Sequence, residues 1–280
     1  MKITEGRMSA TRTLRLSAAA AFAAGVLWLP HAQSQPPAGA AAQSPRDGAL
    51  FDITGQWVAV VNEDWRWRMV TPPVGDVSSI PVNARGRQEA AAWDLERDRA
   101  EGRLCKAFGA PGLIRQPTRL RIEWEDDDTL LFEFDAGMQT RRLEFAETTP
   151  PAEPSLQGFS RATWARQTLQ RGVFGSRTPP GGSLKVFTTH LEPGYLRPNG
   201  VPYSGEATMT EYFHTFTLPD DGGTWLVVTT VVEDPVYLTT ELLMSTQFKK
   251  ETDRTRWNPR ECDIPPPLVE REPEPPGPFG

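Results

Sequence analysis

Eight stretches of this chain carry apolar residues at every second position and are separated by turn-forming residues, a spacing that fits half-buried antiparallel strands. The spacing predicts strands over 55–69, 117–125, 129–136, 139–147, 183–191, 206–218, 223–233 and 237–249. Phe134-Asp135-Ala136-Gly137-Met138, Asp126–Asp128 and Leu218-Pro219-Asp220-Asp221-Gly222-Gly223 read as hairpin turns between neighbours. A flat sheet would leave its two edge strands open, and closing the sheet or doubling it removes that exposure. The expected fold is therefore mainly β: an antiparallel eight-stranded barrel with one or two short helices, with a β-sandwich as the alternative.

The ends of the chain follow other rules. Lys2, Arg7, Arg12 and Arg15 precede an alanine-rich apolar run from Leu16 to Leu29, which leads into Pro30, His31 and the small-residue exit Ala32-Gln33-Ser34. That order is the order of a secretory signal peptide, and the run is shorter than the roughly 20 residues a spanning helix needs. Residues 1–34 are expected to be a cleaved signal, with a retained N-terminal anchor as the alternative, and the location periplasmic or secreted. No membrane span is expected after signal removal. Residues 35–48 read as a disordered linker, 49–262 as one domain, and 263–280, with seven prolines, as an extended disordered tail able to serve as a ligand for a protein partner. Loss of residues 1–34 leaves 26 basic against 35 acidic groups. Nucleic acid is not an expected partner of such an acidic chain.

Asn83–Phe108 breaks the strand pattern with an alanine-rich, charged sequence of helical composition. Asn83 suits an N-cap, Gly109 a stop, and Gly86 and Gly102 divide the segment, so two short helices compete with one long one. Trp93 and Leu104 would face the sheet. Cys105 and Cys262 are the two cysteines, and in an oxidising compartment an even count favours a disulfide. The alternative, a thiol pair or metal site, lacks a C-x-x-C spacing and has only His190 and His214 to complete it. No metal and no cofactor is expected.

Two resemblances add to this reading. Gly55-Gln56-Trp57 resembles the G-x-W that opens lipocalins, whose tryptophan closes the barrel floor, and the resemblance implies a lipocalin-like (calycin) barrel. The segments Pro193-Gly194-Tyr195-Leu196-Arg197, Asn199-Gly200-Val201-Pro202-Tyr203, Glu211-Tyr212-Phe213, Glu233-Asp234-Pro235, Tyr237-Leu238, Phe248-Lys249-Lys250 and Trp257-Asn258-Pro259 resemble a group of uncharacterised exported bacterial proteins over most of 50–262. That second resemblance implies no activity and no catalytic residues.

Three constellations carry possible chemistry. If Val60–Met69 continues the first strand, Trp57, Glu63, Trp65 and Trp67 share one face and Asp64, Arg66 and Arg68 the other. A carboxylate among tryptophans has a raised pKa and suits acid–base work, whereas an ordinary amphipathic strand would simply bury the rings. The Pro- and Gly-rich loop 193–203 presents Tyr195, Arg197 and Tyr203 on a stiff path, fit to grip a carboxylate or carbonyl or to serve as a plain barrel-mouth loop. On the following strand Glu211 lies among Ala207, Met209, Phe213 and Thr215, either as a second interior carboxylate or, more in keeping with burial, as the partner of Arg141 or Arg197. His190 and His214 read as structural residues, and the acidic turn 126–128 as a solvated one. No G-x-S-x-G, H-E-x-x-H, P-loop or G-x-G-x-x-G is present, which disfavours a serine or zinc hydrolase.

The leading expectation is a binding protein for a small, largely apolar molecule in a cavity lined by Trp57, Trp65, Trp67, Arg197, Tyr203 and Phe213. The alternative is a cofactor-free acid–base enzyme, an isomerase, lyase or hydrolase, using Glu63, Glu211, Tyr195 and Tyr212. A third reading is an envelope scaffold that binds a partner through its proline-rich tail.

Overall fold

The computed structural model describes residues 43–166, 181–219 and 222–269; the expected signal segment, most of the linker, the tip of the 218–223 turn and the end of the tail lie outside the described residues. Eleven strands follow one another: β1 (Gly55–Val60), β2 (Arg119–Trp124), β3 (Thr129–Phe134), β4 (Thr140–Glu144), β5 (Phe159–Arg166), β6 (Gly182–Thr189), β7 (Gly194–Arg197), β8 (Val201–Tyr203), β9 (Thr208–Thr217), β10 (Thr224–Glu233) and β11 (Leu242–Glu251). Nine close a barrel in the order β1-β11-β10-β9-β6-β5-β4-β3-β2, and β7 and β8 form a separate hairpin. The barrel has nine strands rather than eight. Strand direction alternates around an antiparallel ring, and an odd number cannot complete the alternation. One joint must be parallel, and it is β4 against β5, where Leu143 lies opposite Ser160 and Glu144 opposite Arg161.

The additional strand is β5, and its sequence explains why period-two reading misses it. Its fully buried positions are Ser160 and Ala162, small and partly polar, with only Trp164 further along the same face packed against the core, so the apolar alternation is weak. They are small because β5 passes an ion pair: Arg141 on β4 donates to both carboxylate oxygens of Glu211 on β9, at 2.8 and 3.4 Å. The same guanidinium reaches Ser160 Oγ at 3.2 Å and Thr188 Oγ1 at 3.3 Å. Both charged side chains are at most 1% exposed. Around them the interior is filled by Trp57, Leu120, Ile122, Leu130, Phe132, Phe213, Leu226, Val228 and Phe248, all fully buried.

The tight turns 125–128 and 218–223 lie at one end of the barrel, with the start of β1. At the other end, where β1, β6 and β10 finish and β2, β9 and β11 begin, the long connections 61–118, 190–207 and 234–241 form a cap. The expected helical segment lies here as separate pieces: α2 (Ala84–Ala91), α3 (Leu95–Ala100) and a 3-10 turn over Leu104–Phe108. Asn83 caps α2 by accepting from Gly86 N, and Asp94 caps α3 by accepting from Arg97 N. Gly102 takes φ +68°, which ends α3, and Gly86 packs so closely that a Cβ there would lie 2.9 Å from Tyr237 O. Trp93 is buried and Leu104 half-buried against the barrel core, as expected. A second apolar cluster, including Ile80, Val82, Leu196, Val201, Tyr203 and Leu238, fills the space between cap and barrel rim.

Cys105, in the 3-10 turn, is disulfide-bonded to Cys262, with Cα atoms 5.1 Å apart. The packed chain continues beyond the expected boundary: Ile264 is buried and Leu268 N donates to Thr71 O. At the other end of the barrel, Pro45 O accepts from Trp164 Nε1, so the last linker residues pack as well. Among the described residues no helix is long and apolar enough to cross a membrane.

Two outcomes follow for stability, both readable by urea unfolding under oxidising and reducing conditions. Paired Cys105→Ser and Cys262→Ser should cost about 2–5 kcal/mol, since the bridge closes a long loop in the unfolded chain. Arg141→Met alone should cost about 3–5 kcal/mol by leaving Glu211 buried without its cation, and adding Glu211→Leu should recover most of that loss.

Candidate anion-binding pocket at the capped end

The first strand ends earlier than its alternation suggests. After Val60 the chain leaves the sheet, Asp64 takes a left-handed conformation at φ 52°, and Trp65–Arg68 form a single helical turn, α1. Asp64 O accepts from Trp67 N and Arg68 N, so the W-R-W-R alternation is wound into a helix. On a helix i and i+2 do not share a face. The two tryptophans and two arginines are therefore redistributed: Trp65 is 67% exposed, while Arg68, expected on a solvent face, is buried.

Arg68 meets Arg115, which follows α4 (Ala110–Leu113), and lines one pocket with Arg197, which ends β7. With Asp64, Trp67, Ile80, Leu196, Pro198 and Leu242–Met244 these arginines line a pocket of about 60 Å³. Arg115 is engaged through both terminal nitrogens: it donates to Glu63 Oε1 at 3.1 Å, Asp64 Oδ2 at 2.7 Å and the carbonyl of Ser245. Arg68 donates through Nε to Arg115 O at 2.9 Å and through Nη1 to Glu63. Arg197 lies 5.0 Å over the Trp67 ring, and Trp67 Nε1 donates to Asp76 Oδ2 at 3.0 Å. A guanidinium over an indole face is held by the ring quadrupole while its N–H groups stay available in the ring-parallel plane.

Two donors of this cluster, Arg68 Nη2 and Arg197 Nη1, are buried without a hydrogen-bond partner among the described residues. The Arg68 side chain is only 3% exposed. Burial, with repulsion from Arg115, pushes the Arg68 pKa down to about 10, against the pull of Glu63 and Asp64. Burial likewise lowers Arg197 to about 10, opposed by Asp76 and Asp64. Both remain charged at neutral pH. Burial works to raise the Asp76 carboxyl, but hydrogen bonds from Ser78 and Trp67 and the charge of Arg197 bring it below the ordinary carboxylate value. The pocket thus has three cations answered by Glu63, Asp64 and Asp76, with two guanidinium nitrogens and the Oε2 of Glu63 left without a partner among the described residues. Such a balance suits one added monoanion accepting from both arginines.

The remaining sequence-predicted residues disperse. Glu63, Trp67 and Arg197 come to this pocket or its border. Trp57 and Phe213 are core residues of the barrel, Trp57 donating to Ile53 O at 2.9 Å and Phe213 packed edge-on to Phe132 at 5.5 Å. Glu211 is inside the barrel with Arg141, away from the pocket, as the ion-pair alternative anticipates. Tyr195 donates to the buried Asp98 at 2.7 Å, an acceptor also held by Trp93 and Arg103. Burial and that carboxylate push the Tyr195 hydroxyl pKa up, which removes it as an acid near neutrality. Tyr203 is buried beneath the cap, its hydroxyl lodged against Gly109 and Gly194, and burial raises it too. Tyr212 points outward from β9 toward Lys185, and His214 is exposed. Among the described residues no group of three or more His, Cys, Asp or Glu is placed to hold a metal.

Arg68 and Arg115 are the residues that sequence reasoning does not pick out. Strand alternation turns Arg68 outward, and Arg115 sits in Ile114-Arg115-Gln116-Pro117 without a periodic signal. Only the helical turn at α1 brings them together. Comparison of the chain with protein-family models, with curated proteins and with solved structures finds no match.

The redistribution of the tryptophans is directly measurable. Trp57→Ala should cost about 3–5 kcal/mol of stability as a core deletion. Trp65→Ala should stay within about 0.5 kcal/mol, as surface substitutions do. Equal costs in urea titrations would contradict the helical turn.

Proposed function

We propose that this protein is an exported binding protein, periplasmic or secreted, that holds the carboxylate of a small organic acid between Arg68 and Arg197 at the capped end of its barrel. The observation that carries this reading is the pair of buried, unpartnered guanidinium N–H groups on one pocket. Leaving a buried charged donor unsatisfied costs roughly 1–3 kcal/mol or more, and an arriving carboxylate oxygen removes that cost. The Trp67 ring and the backbone carbonyl of Arg115 hold the two guanidinium groups in place before any ligand arrives. Such preorganisation favours binding because little ordering remains to be done.

This places the ligand at the barrel's end, where the lipocalin-like expectation puts it inside. Side chains fill the barrel itself, and the cap supplies the concavity. Binding is favoured over acid–base turnover because each carboxylate at hand is held by a donor: Glu63 Oε1 accepts from two arginines, although its Oε2 is unpartnered, Glu211 accepts from one arginine, and Asp76 from Trp67. The signal-like N-terminus and the Cys105–Cys262 bridge support the exported location.

Titration calorimetry with butyrate, against butanol as a neutral control, tests the reading. Butyrate should bind once per chain, and Arg197→Met should weaken it tenfold or more, the loss of one charge-assisted bond of about 1.5–3 kcal/mol. Equal affinity for butyrate in the wild-type and Arg197→Met proteins would remove the pocket as the site.

A further inference from the structure

Beyond the arginines the pocket continues. A second cavity, of about 240 Å³, shares Arg68, Gln116 and Pro198 as a common wall with the first. Its other lining is mostly apolar: Met69, Val70, Phe108, Pro117, Ala136, Ile264 and Pro265 among them. Thr71 Oγ1, a third buried donor without a partner among the described residues, lines it as well. We propose that this second cavity is the subsite for an unbranched hydrocarbon chain, so that the ligand class is a single-chain aliphatic carboxylic acid. The proposal rests on the carboxylate reading of the arginine pocket and extends it.

Three features argue for one continuous ligand. The headgroup pocket alone holds little more than a carboxylate: at roughly 10–15 Å³ per water, its volume takes about four to six waters. The two cavities together reach the lower end of the size range of small-molecule sites, which are mostly apolar with a few placed polar groups. Arg68 lines both cavities, so a carboxylate held by its guanidinium stands next to the second one.

Charge argues against a phosphate. The three pocket arginines are already answered by Glu63, Asp64 and Asp76, and a dianion would bring a second negative charge beside those carboxylates. A carboxylate brings one charge and two acceptors, matching Arg68 Nη2 and Arg197 Nη1.

The wall of the second cavity is also informative. Arg260, Glu261, Asp263, Ile264 and Pro265 come from the strap that follows β11, and Cys262 bonds that strap to Cys105. Ile264 is 1% exposed, and Arg260 N donates to Asp135 O at 2.8 Å, so the strap is fixed on both sides of the disulfide. The cavity is thus a built feature of the oxidised chain.

The test is a chain-length series: butyrate, hexanoate, octanoate and decanoate, with 1-octanol and octyl phosphate as controls, titrated into the oxidised full chain. Affinity should rise about threefold to fourfold for each added methylene until the cavity is full, then level off. 1-Octanol and octyl phosphate should each bind at least tenfold more weakly than octanoate. Val70→Trp, which fills the cavity, should erase the difference between octanoate and butyrate. If that variant does not fold, methyl contacts observed by NMR between octanoate and Val70 or Ile264 in the wild-type protein decide the matter. Short acids that bind without a gain from length overturn the second subsite and leave the headgroup reading standing; failure of every acid overturns both. Octyl phosphate binding as well as octanoate overturns the carboxylate class. A truncation after Val269 that tightens octanoate binding would assign the cavity to the chain's own C-terminal segment and overturn the proposal.

Discussion

Arg141 reaches from β4 past β5 and β6 to Glu211 on β9, and in doing so it spans the one parallel joint of the barrel. A ring of nine strands must contain such a joint, and parallel pairing is slightly weaker per residue than antiparallel pairing. Here the joint is also short, with two residues of each strand in register, whereas β5 and β6 are paired over eight. The ion pair and the hydroxyls of Ser160 and Thr188, which bond each other at 2.9 Å, tie the four strands around that seam from the inside. A buried ion pair is weak evidence for net stability, because desolvation offsets much of the attraction. Its stronger effect is on register: the guanidinium meets both oxygens of Glu211 only when β4 and β9 stand in one relation.

That seam determines where the site is built. Joining β4 to a parallel β5 carries the chain over 145–158 from one end of the barrel to the other, and Ser155 then pairs with Leu191 at the capped end. The hairpin β7–β8 grows from the same end and delivers Arg197, while 61–118 delivers Arg68 and Arg115. The cap therefore gathers charged residues from segments far apart in sequence over a barrel whose own interior is closed to ligand.

The sequence was most legible where one face is apolar and the other wet. Alternation places β2, β3, β9 and β10 to within a few residues, and the three hairpin turns join the strands expected of them. Legibility failed where burial is polar. Ser160 and Ala162 hide β5 because an ion pair, absent from any local pattern, occupies the space an apolar side chain would fill. It failed again at Trp65–Arg68, since W-R-W-R alternates as a strand would and only the left-handed Asp64 winds it into a turn. Of the expected site, Glu63, Trp67 and Arg197 reach the pocket because they stand in a loop, in the helical turn and at a strand end. Trp57, Phe213 and Glu211 do not, because strand interiors in this barrel are core.

The protein thus buries arginine in two ways, and the contrast separates structure from function. Arg141 also keeps one nitrogen, Nε, without a partner, yet its other donors are taken by Glu211, Ser160 and Thr188 and apolar side chains close around it. An idle donor in a packed interior is a cost with no remedy, tolerated because the rest of the side chain holds the seam. Arg68 and Arg197 also have buried idle nitrogens, but both side chains line a pocket, and Arg197 lies over the Trp67 ring. There the same cost is removable by anything that accepts two hydrogen bonds and carries one negative charge. Packing could have silenced these donors, as the carboxylates of Glu63 and Asp64 occupy the two terminal nitrogens of Arg115. Instead, packing leaves those two donors unanswered on side chains that line a pocket, where the oxygens of a ligand could still answer them.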